Sequence, residues 1–215
     1  MRGARTAAAV AAMVVMSVVA VAACPTGLNV IPTADVLEEG LLSVQLELTG
    51  RPNPIDGDRT WGLLTQFALA GGIEFGVDFE DPGGENEWSV DVKWQVLGDG
   101  DDGPAVALGL LDVNRGGERG YYVAGARSVA DSGVRAHAGI LHSDATTSAM
   151  IGVEVEIAPC TVVMLDWITG PDGQFGLGIE HALSDSHGVH IFFVTDNSAG
   201  GADTTGVNLC WEGPW

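Results

Sequence analysis

Apolar and polar residues alternate along most of the chain in segments of about ten residues, each closed by Gly, Asp, Asn, Pro or Ser. Alternation of period two marks extended strands with one apolar face, and no helical period is sustained. The pattern predicts strands near 41–49, 60–69, 72–80, 87–97, 104–113, 119–129, 133–142, 148–157, 161–169, 174–183, 187–196 and 204–212. "SVQLELT" sets Val44, Leu46 and Leu48 against Gln45, Glu47 and Thr49, and "WSVDVKWQV" and "IGVEVEI" are equally clean. Three strands, near 104–113, 161–169 and 187–196, are apolar on both faces. In the second of these, Val162, Met164 and Ile168 oppose Val163, Leu165 and Trp167. Such strands argue against a lumen filled with water.

An all-β chain with alternating strands has two solutions. A soluble sandwich or barrel hides the apolar row, whereas a transmembrane barrel turns it to lipid and keeps polar residues inside. In "GGIEFGVDFED" the choice sets Ile73, Phe75, Val77 and Phe79 against Glu74, Asp78 and Glu80. The polar rows also carry Gly76, Gly139, Gly152, Gly176 and Gly178, and glycine weakens an exposed soluble strand. Inside a narrow barrel it makes room for long side chains, so Gly76 and Gly152 are expected to tolerate Ser. Links after even-numbered strands are mostly short, whereas "GRPNPIDGDR" and "NSAGGADT" follow odd ones. Outer-membrane barrels show this asymmetry, with both chain ends on the short-turn side. The last strand, "GVNLCWEGPW", alternates Val207, Leu209 and Trp211 and ends on Trp215, an aromatic terminus of the kind such barrels carry. Pro214 and Glu212 depart from that pattern. The expectation is an up-and-down antiparallel transmembrane-type β-barrel of about twelve strands over 41–215. A secreted or lipid-anchored soluble β-sandwich or barrel binding a glycan or small ligand is the alternative.

The first 23 residues, with Arg2 and Arg5 before the apolar run from Ala7 to about Val19, form a signal peptide. Export to the outer membrane of a Gram-negative-type bacterium follows, with outer-membrane lipid as the expected surrounding. Val21-Ala22-Ala23-Cys24 also has the form of a lipobox, which makes Cys24 a candidate for lipidation. A segment over 24–40 separates the signal from the barrel. Cys160 and Cys210 remain, an even pair in an oxidising compartment and a candidate disulfide.

The chain has 9 basic residues against 29 acidic ones, and Lys93 is its single lysine. Phosphate binding depends on Lys and Arg, so nucleic acid is excluded as a partner. In a barrel, Glu47, Glu74, Asp78, Glu80, Asp91, Glu154 and Glu156 would face the lumen with Lys93 and Arg135. Such an electronegative lumen favours cations. Twelve strands lie between the filled eight-strand barrel and the open sixteen-strand channel.

Thr26-Gly27-Leu28, then Ile31-Pro32-Thr33-Ala34, Leu37 and Gly40, followed by Gly72 to Asp78, resemble the opening of the YjbH-like family of Gram-negative outer-membrane β-barrels. The resemblance covers residues 26 to 80. It implies an outer-membrane barrel associated with exopolysaccharide secretion and partners among the secretion components, and it brings no catalytic residues.

Candidate chemistry is sparse. "EHALSDSHGVHIF" gathers Glu180, His181, Asp185, His187 and His190 around one turn. Pairing of His181 with His190 would make His181, His187 and His190 a metal site, whereas a slip of one residue faces Glu180 with His190 and sends His181 to the other surface. "DGDDG" at 99–103 lacks the closing Glu of a calcium loop and reads as a solvated turn. No nucleophile motif is present, Glu154 and Glu156 read as lumenal charge, and neither an enzyme nor a cofactor is expected.

Overall fold

The structure is a computed structural model, and it describes residues 27–51, 53–55, 58–81, 87–98, 103–115, 119–130, 132–143, 145–171, 173–197 and 201–215. The expected signal peptide, Cys24 and most of "DGDDG" lie outside these residues. Twelve antiparallel strands form one closed barrel. They are β1 (Leu41–Arg51), β2 (Asp58–Leu69), β3 (Ile73–Glu80), β4 (Glu87–Leu97), β5 (Ala105–Leu111) and β6 (Gly120–Val129), then β7 (Val134–Ser143), β8 (Thr146–Ala158), β9 (Thr161–Ile168), β10 (Gln174–Ser184), β11 (His187–Asp196) and β12 (Thr204–Pro214). Each strand pairs with its sequence neighbour, and β1 closes on β12 from Leu41 opposite Pro214 to Gly50 opposite Thr205. Closure leaves no unpaired edge, the condition a sheet must meet in lipid.

The apolar rows face outward. Val123, Ile140, Ile151, Leu177, Ile191 and Leu209 are exposed on the barrel's outer surface, in the strand-by-strand register that the alternation demands. A soluble fold would not leave so large an apolar surface bare, so the membrane barrel stands and the soluble sandwich does not. The tryptophans sort by height. Trp61, Trp88 and Trp167 lie near the long-loop ends of β2, β4 and β9, with Phe79, Tyr121 and Phe175 at the same level. Trp94, Trp211 and Trp215 lie at the opposite end. These are the two aromatic girdles of a lipid-embedded barrel. Trp215 is exposed and packs edge-on against Phe67 at 6.4 Å between ring centres, with its backbone N–H donating to the Gly40 carbonyl at 3.3 Å. It therefore closes the outer surface at the chain-end rim rather than a core.

Residues 27 to 40 run inside the barrel. Leu28, Ile31, Ala34 and Leu37 of this segment are buried. Leu28, Ile31 and Ala34 join inward side chains of β5 to β9, among them Ala107, Tyr122, Met150 and Met164, in one apolar cluster. This cluster explains two of the strands that are apolar on both faces, those near 104–113 and 161–169. Val162, Met164 and Ile168 face the segment, while Val163, Leu165 and Trp167 keep the outward parity. Apolar inner residues thus cover the segment on that side instead of lining water.

The glycines serve nearer neighbours than the far wall. Gly109 and Gly206 stand directly opposite Tyr122 and Phe192, whose rings occupy the space a Cβ would need. Gly176 and Gly178 similarly admit Asn29. A Cβ added at Gly76 would meet only ordinary contacts, the nearest being Asp91 Cβ at 3.6 Å, so this position accommodates Ser. Gly152 does not share that freedom, because a Cβ there meets Leu28 Cδ1 and lies 2.9 Å from Ile31 Cδ1. Gly152→Ser is expected to displace the lumenal segment at a cost of about 1–3 kcal/mol, the range for overpacking, and Gly76→Ser to cost nothing measurable. Urea titration of both variants in detergent, followed by tryptophan fluorescence, measures the difference.

Candidate lumenal site

The lumen has two unlike halves. On the β5–β9 side the segment packs into the apolar cluster, and on the β1–β4 side polar groups remain. Glu74 and Lys93 are buried on adjacent strands and form an ion pair of 3.0 Å between Oε1 and Nζ. Both also hold the segment: Leu37 N–H donates to Glu74 Oε2 at 2.9 Å, and Lys93 Nζ donates to the Asp35 carbonyl at 2.7 Å. Gln95 Nε2 donates to the Ala34 carbonyl at 2.8 Å. Arg135 meets Asp35 with two donors, Nη2 to Oδ1 at 2.6 Å and Nε to Oδ2 at 3.1 Å. Lys93 and Arg135 are therefore committed to carboxylates and carbonyls at the level of the segment.

Above them, Glu47, Asp78, Glu80 and Asp91 line the wall from β1 to β4. Glu47 and Glu80 sit at one height, both opposite Gly62 in the register, and Asp78 and Asp91 stand on neighbouring strands one step apart. Glu47, Asp78 and Asp91 border a cavity of about 350 Å³ within the barrel, together with Asn29 and His190. A second cavity of about 590 Å³ opens at the long-loop mouth between Glu47, Arg51, Asp58, Arg59 and Glu80. Of the remaining lumenal positions, Arg135 and Glu154 are half-buried, while Glu156 keeps the inward parity but is exposed at the short-turn rim. Thus the acidic residues divide between paired groups beneath and a carboxylate wall above.

The strongest anchor of the segment is Asp166 on β9, which is buried. Its Oδ2 accepts from Val30 N at 2.7 Å and Ile31 N at 3.0 Å, and its Oδ1 accepts from Asn29 Nδ2 at 2.8 Å. Asn29 Oδ1 in turn lies 3.1 Å from His190 Nε2. Asp166 is not among the residues singled out by sequence, although its parity within "TVVMLDWI" marks it as a lone carboxylate on an otherwise apolar inner row.

The histidines of "EHALSDSHGVHIF" do not converge. β10 and β11 pair Glu180 with His190 and His181 with Val189, so His190 turns inward and His181 outward, where its Nδ1 lies 2.9 Å from Thr161 Oγ1. His187 is held at the turn, its Nδ1 2.9 Å from Ser186 Oγ. With His190 buried inside and His181 and His187 exposed outside, the three imidazoles make no common metal site, and the one-residue register choice is the reason. The Cys160–Cys210 disulfide does not form: Cys160 is a free, exposed thiol in the tight β8–β9 turn, whereas the buried Cys210 is already engaged in a different disulfide. A different group does assemble. Asp35, His137 and Glu154 bring one ligand atom each within 4.8 Å of one another, joining the segment to β7 and β8.

No protein-family model and no curated protein matches this chain by sequence. Solved structures match by fold. The KdgM porin aligns with a TM-score of 0.58 at 9% identity, covering 79% of this chain and 98% of its own. The NanC porin aligns at 0.57 and 11% identity, with 79% and 98% covered. The outer membrane protein Omp33 of Acinetobacter baumannii aligns at 0.54 and 10% identity, with 80% and 98% covered. One structure of the KdgM porin is a complex with disordered oligogalacturonate. A closed antiparallel barrel, an outer surface built for lipid and these matches together give the chain the fold of an outer-membrane porin.

Proposed function

We propose that this protein is an outer-membrane channel whose acidic wall selects for cations and disfavours polyanions. The carrying observation is the set of carboxylates Glu47, Asp78, Glu80 and Asp91 along one side of the lumen and its mouth, which outnumber Arg51 and Arg59 at the mouth and stand above Lys93 and Arg135, already committed to Glu74 and Asp35. Rings and rows of carboxylates favour cations in pores of many kinds. The fold match to a porin seen with oligogalacturonate supports passage of a solute through such a barrel, but a polyuronate is itself an anion and would be repelled by this wall. Neutral saccharides and cations fit it better. The likeness of residues 26–80 to exopolysaccharide-associated barrels leads us to include polysaccharide-secretion components as partners in the same proposal.

Planar-bilayer recording in a potassium chloride gradient tests the reading. The expected reversal potential corresponds to preference for potassium over chloride, and the double variant Asp78→Asn, Asp91→Asn is expected to reduce that preference severalfold. An anion preference, or a reversal potential unmoved by the double substitution, overturns the role of the acidic wall.

A further inference from the structure

We propose that Asp35, His137 and Glu154 form a binding site for a divalent first-row transition metal, with the ion tying the lumenal segment to the barrel wall. Asp35 comes from the segment, and His137 and Glu154 come from adjacent strands in which His137 pairs with Gly152 and Glu154 with Arg135. The three donor atoms lie within 4.8 Å of one another. An ion about 2.0–2.2 Å from each imidazole nitrogen and carboxylate oxygen holds tetrahedral ligand atoms about 3.3–3.6 Å apart, so side-chain rotations that draw the three atoms together by up to about 1.5 Å complete the site.

The second observation is His137 itself. It is only 4% exposed, and neither ring nitrogen makes a hydrogen bond. Its Nε2 stands 3.1 Å from Glu154 Oε1, within ion-pair reach but poorly directed for a hydrogen bond. A buried ring whose two nitrogens make no hydrogen bond is costly, and a metal ion held between His137 and the nearby Glu154 supplies a directed partner for one nitrogen. One imidazole and two carboxylates are donors suited to zinc and to neighbouring first-row metals, and three protein ligands leave a position for water.

Arg135 is the competitor. Its guanidinium already holds both oxygens of Asp35. Each carboxylate oxygen keeps a further lone pair, so a metal can join without expelling Arg135, although its charge weakens the site. Removal of that charge should therefore strengthen metal binding.

The test is titration of the full chain, folded in detergent and stripped with chelator, with zinc chloride in a calorimeter, and with cobalt(II) followed by visible absorption. One zinc per chain is expected, with a cobalt spectrum of a low-coordinate nitrogen and oxygen site. His137→Gln and Asp35→Asn are each expected to weaken zinc at least tenfold, and Arg135→Gln to tighten it. His181→Ala and His187→Ala serve as controls for surface binding and should change nothing. Heat-dependent migration in electrophoresis verifies that each variant is folded. Absence of stoichiometric zinc in the unaltered chain overturns the site outright, as does equal affinity in folded His137→Gln. If His137→Gln fails to fold, Glu154→Gln decides in its place, and the same tenfold loss is required.

Discussion

Ile191→Arg should prevent the protein from accumulating as a folded barrel in the outer membrane. Ile191 lies midway along β11, faces outward with half its surface exposed, and is flanked across the strands by Ile179 and Val207. An arginine there must either place its charge in hydrocarbon or snorkel past several apolar neighbours, and such a charge at the bilayer midplane costs roughly 2–4 kcal/mol. Val77 and Val92 share the outward parity on β3 and β4, so arginine at either is expected to act in the same direction. The measurement is the amount of heat-modifiable protein in the membrane fraction. Normal accumulation of Ile191→Arg would show that this surface does not meet lipid.

Asp166→Ala should release the lumenal segment. The carboxylate accepts from Asn29, Val30 and Ile31 at 2.7–3.0 Å, and two of those donors are backbone N–H groups with nowhere else to turn inside the barrel. Hydrogen bonds to a charged acceptor contribute more than neutral ones, and buried donors left unpaired carry a further cost, together roughly 2–4 kcal/mol for this cluster. Urea unfolding of the variant should show that loss. Single-channel conductance should rise, because the segment borders the lumenal cavity through Asn29, Val30 and Ile31. Asp166→Asn keeps an acceptor without the charge and should fall between. An unchanged conductance with unchanged stability would mean that Arg135, Glu74 and Gln95 hold the segment without help from Asp166.

The strands were legible because a two-residue period survives in any local window. "WSVDVKWQV" forms β4 and "IGVEVEI" lies within β8, with boundaries shifted by a residue or two from those the alternation predicts. The two-sided strands were legible as anomalies but not as explanations. Met164 and Val162 look equally apolar whether they face lipid, a core or a plug, and only the return of Leu28 and Ile31 into the barrel shows what they face. The register of β10 and β11 was similarly undecided, since His181 and Glu180 differ by one position and the turn between the strands admits either pairing. The bulge between Ala182 and Ser184 settles it by pairing Glu180 with His190.

By itself the sequence determined the all-β class, twelve strands, the alternation that separates an apolar from a polar surface, and the scarcity of basic charge. These are local properties, written in neighbouring residues and their side-chain chemistry. Only the tertiary structure decided that residues 27–40 fill part of the lumen, that Lys93 and Arg135 are committed to Glu74 and Asp35, and that Asp35 meets His137 and Glu154. Those contacts join residues some 20 to 120 positions apart, and closure of the barrel around the segment is what brings them within bonding distance.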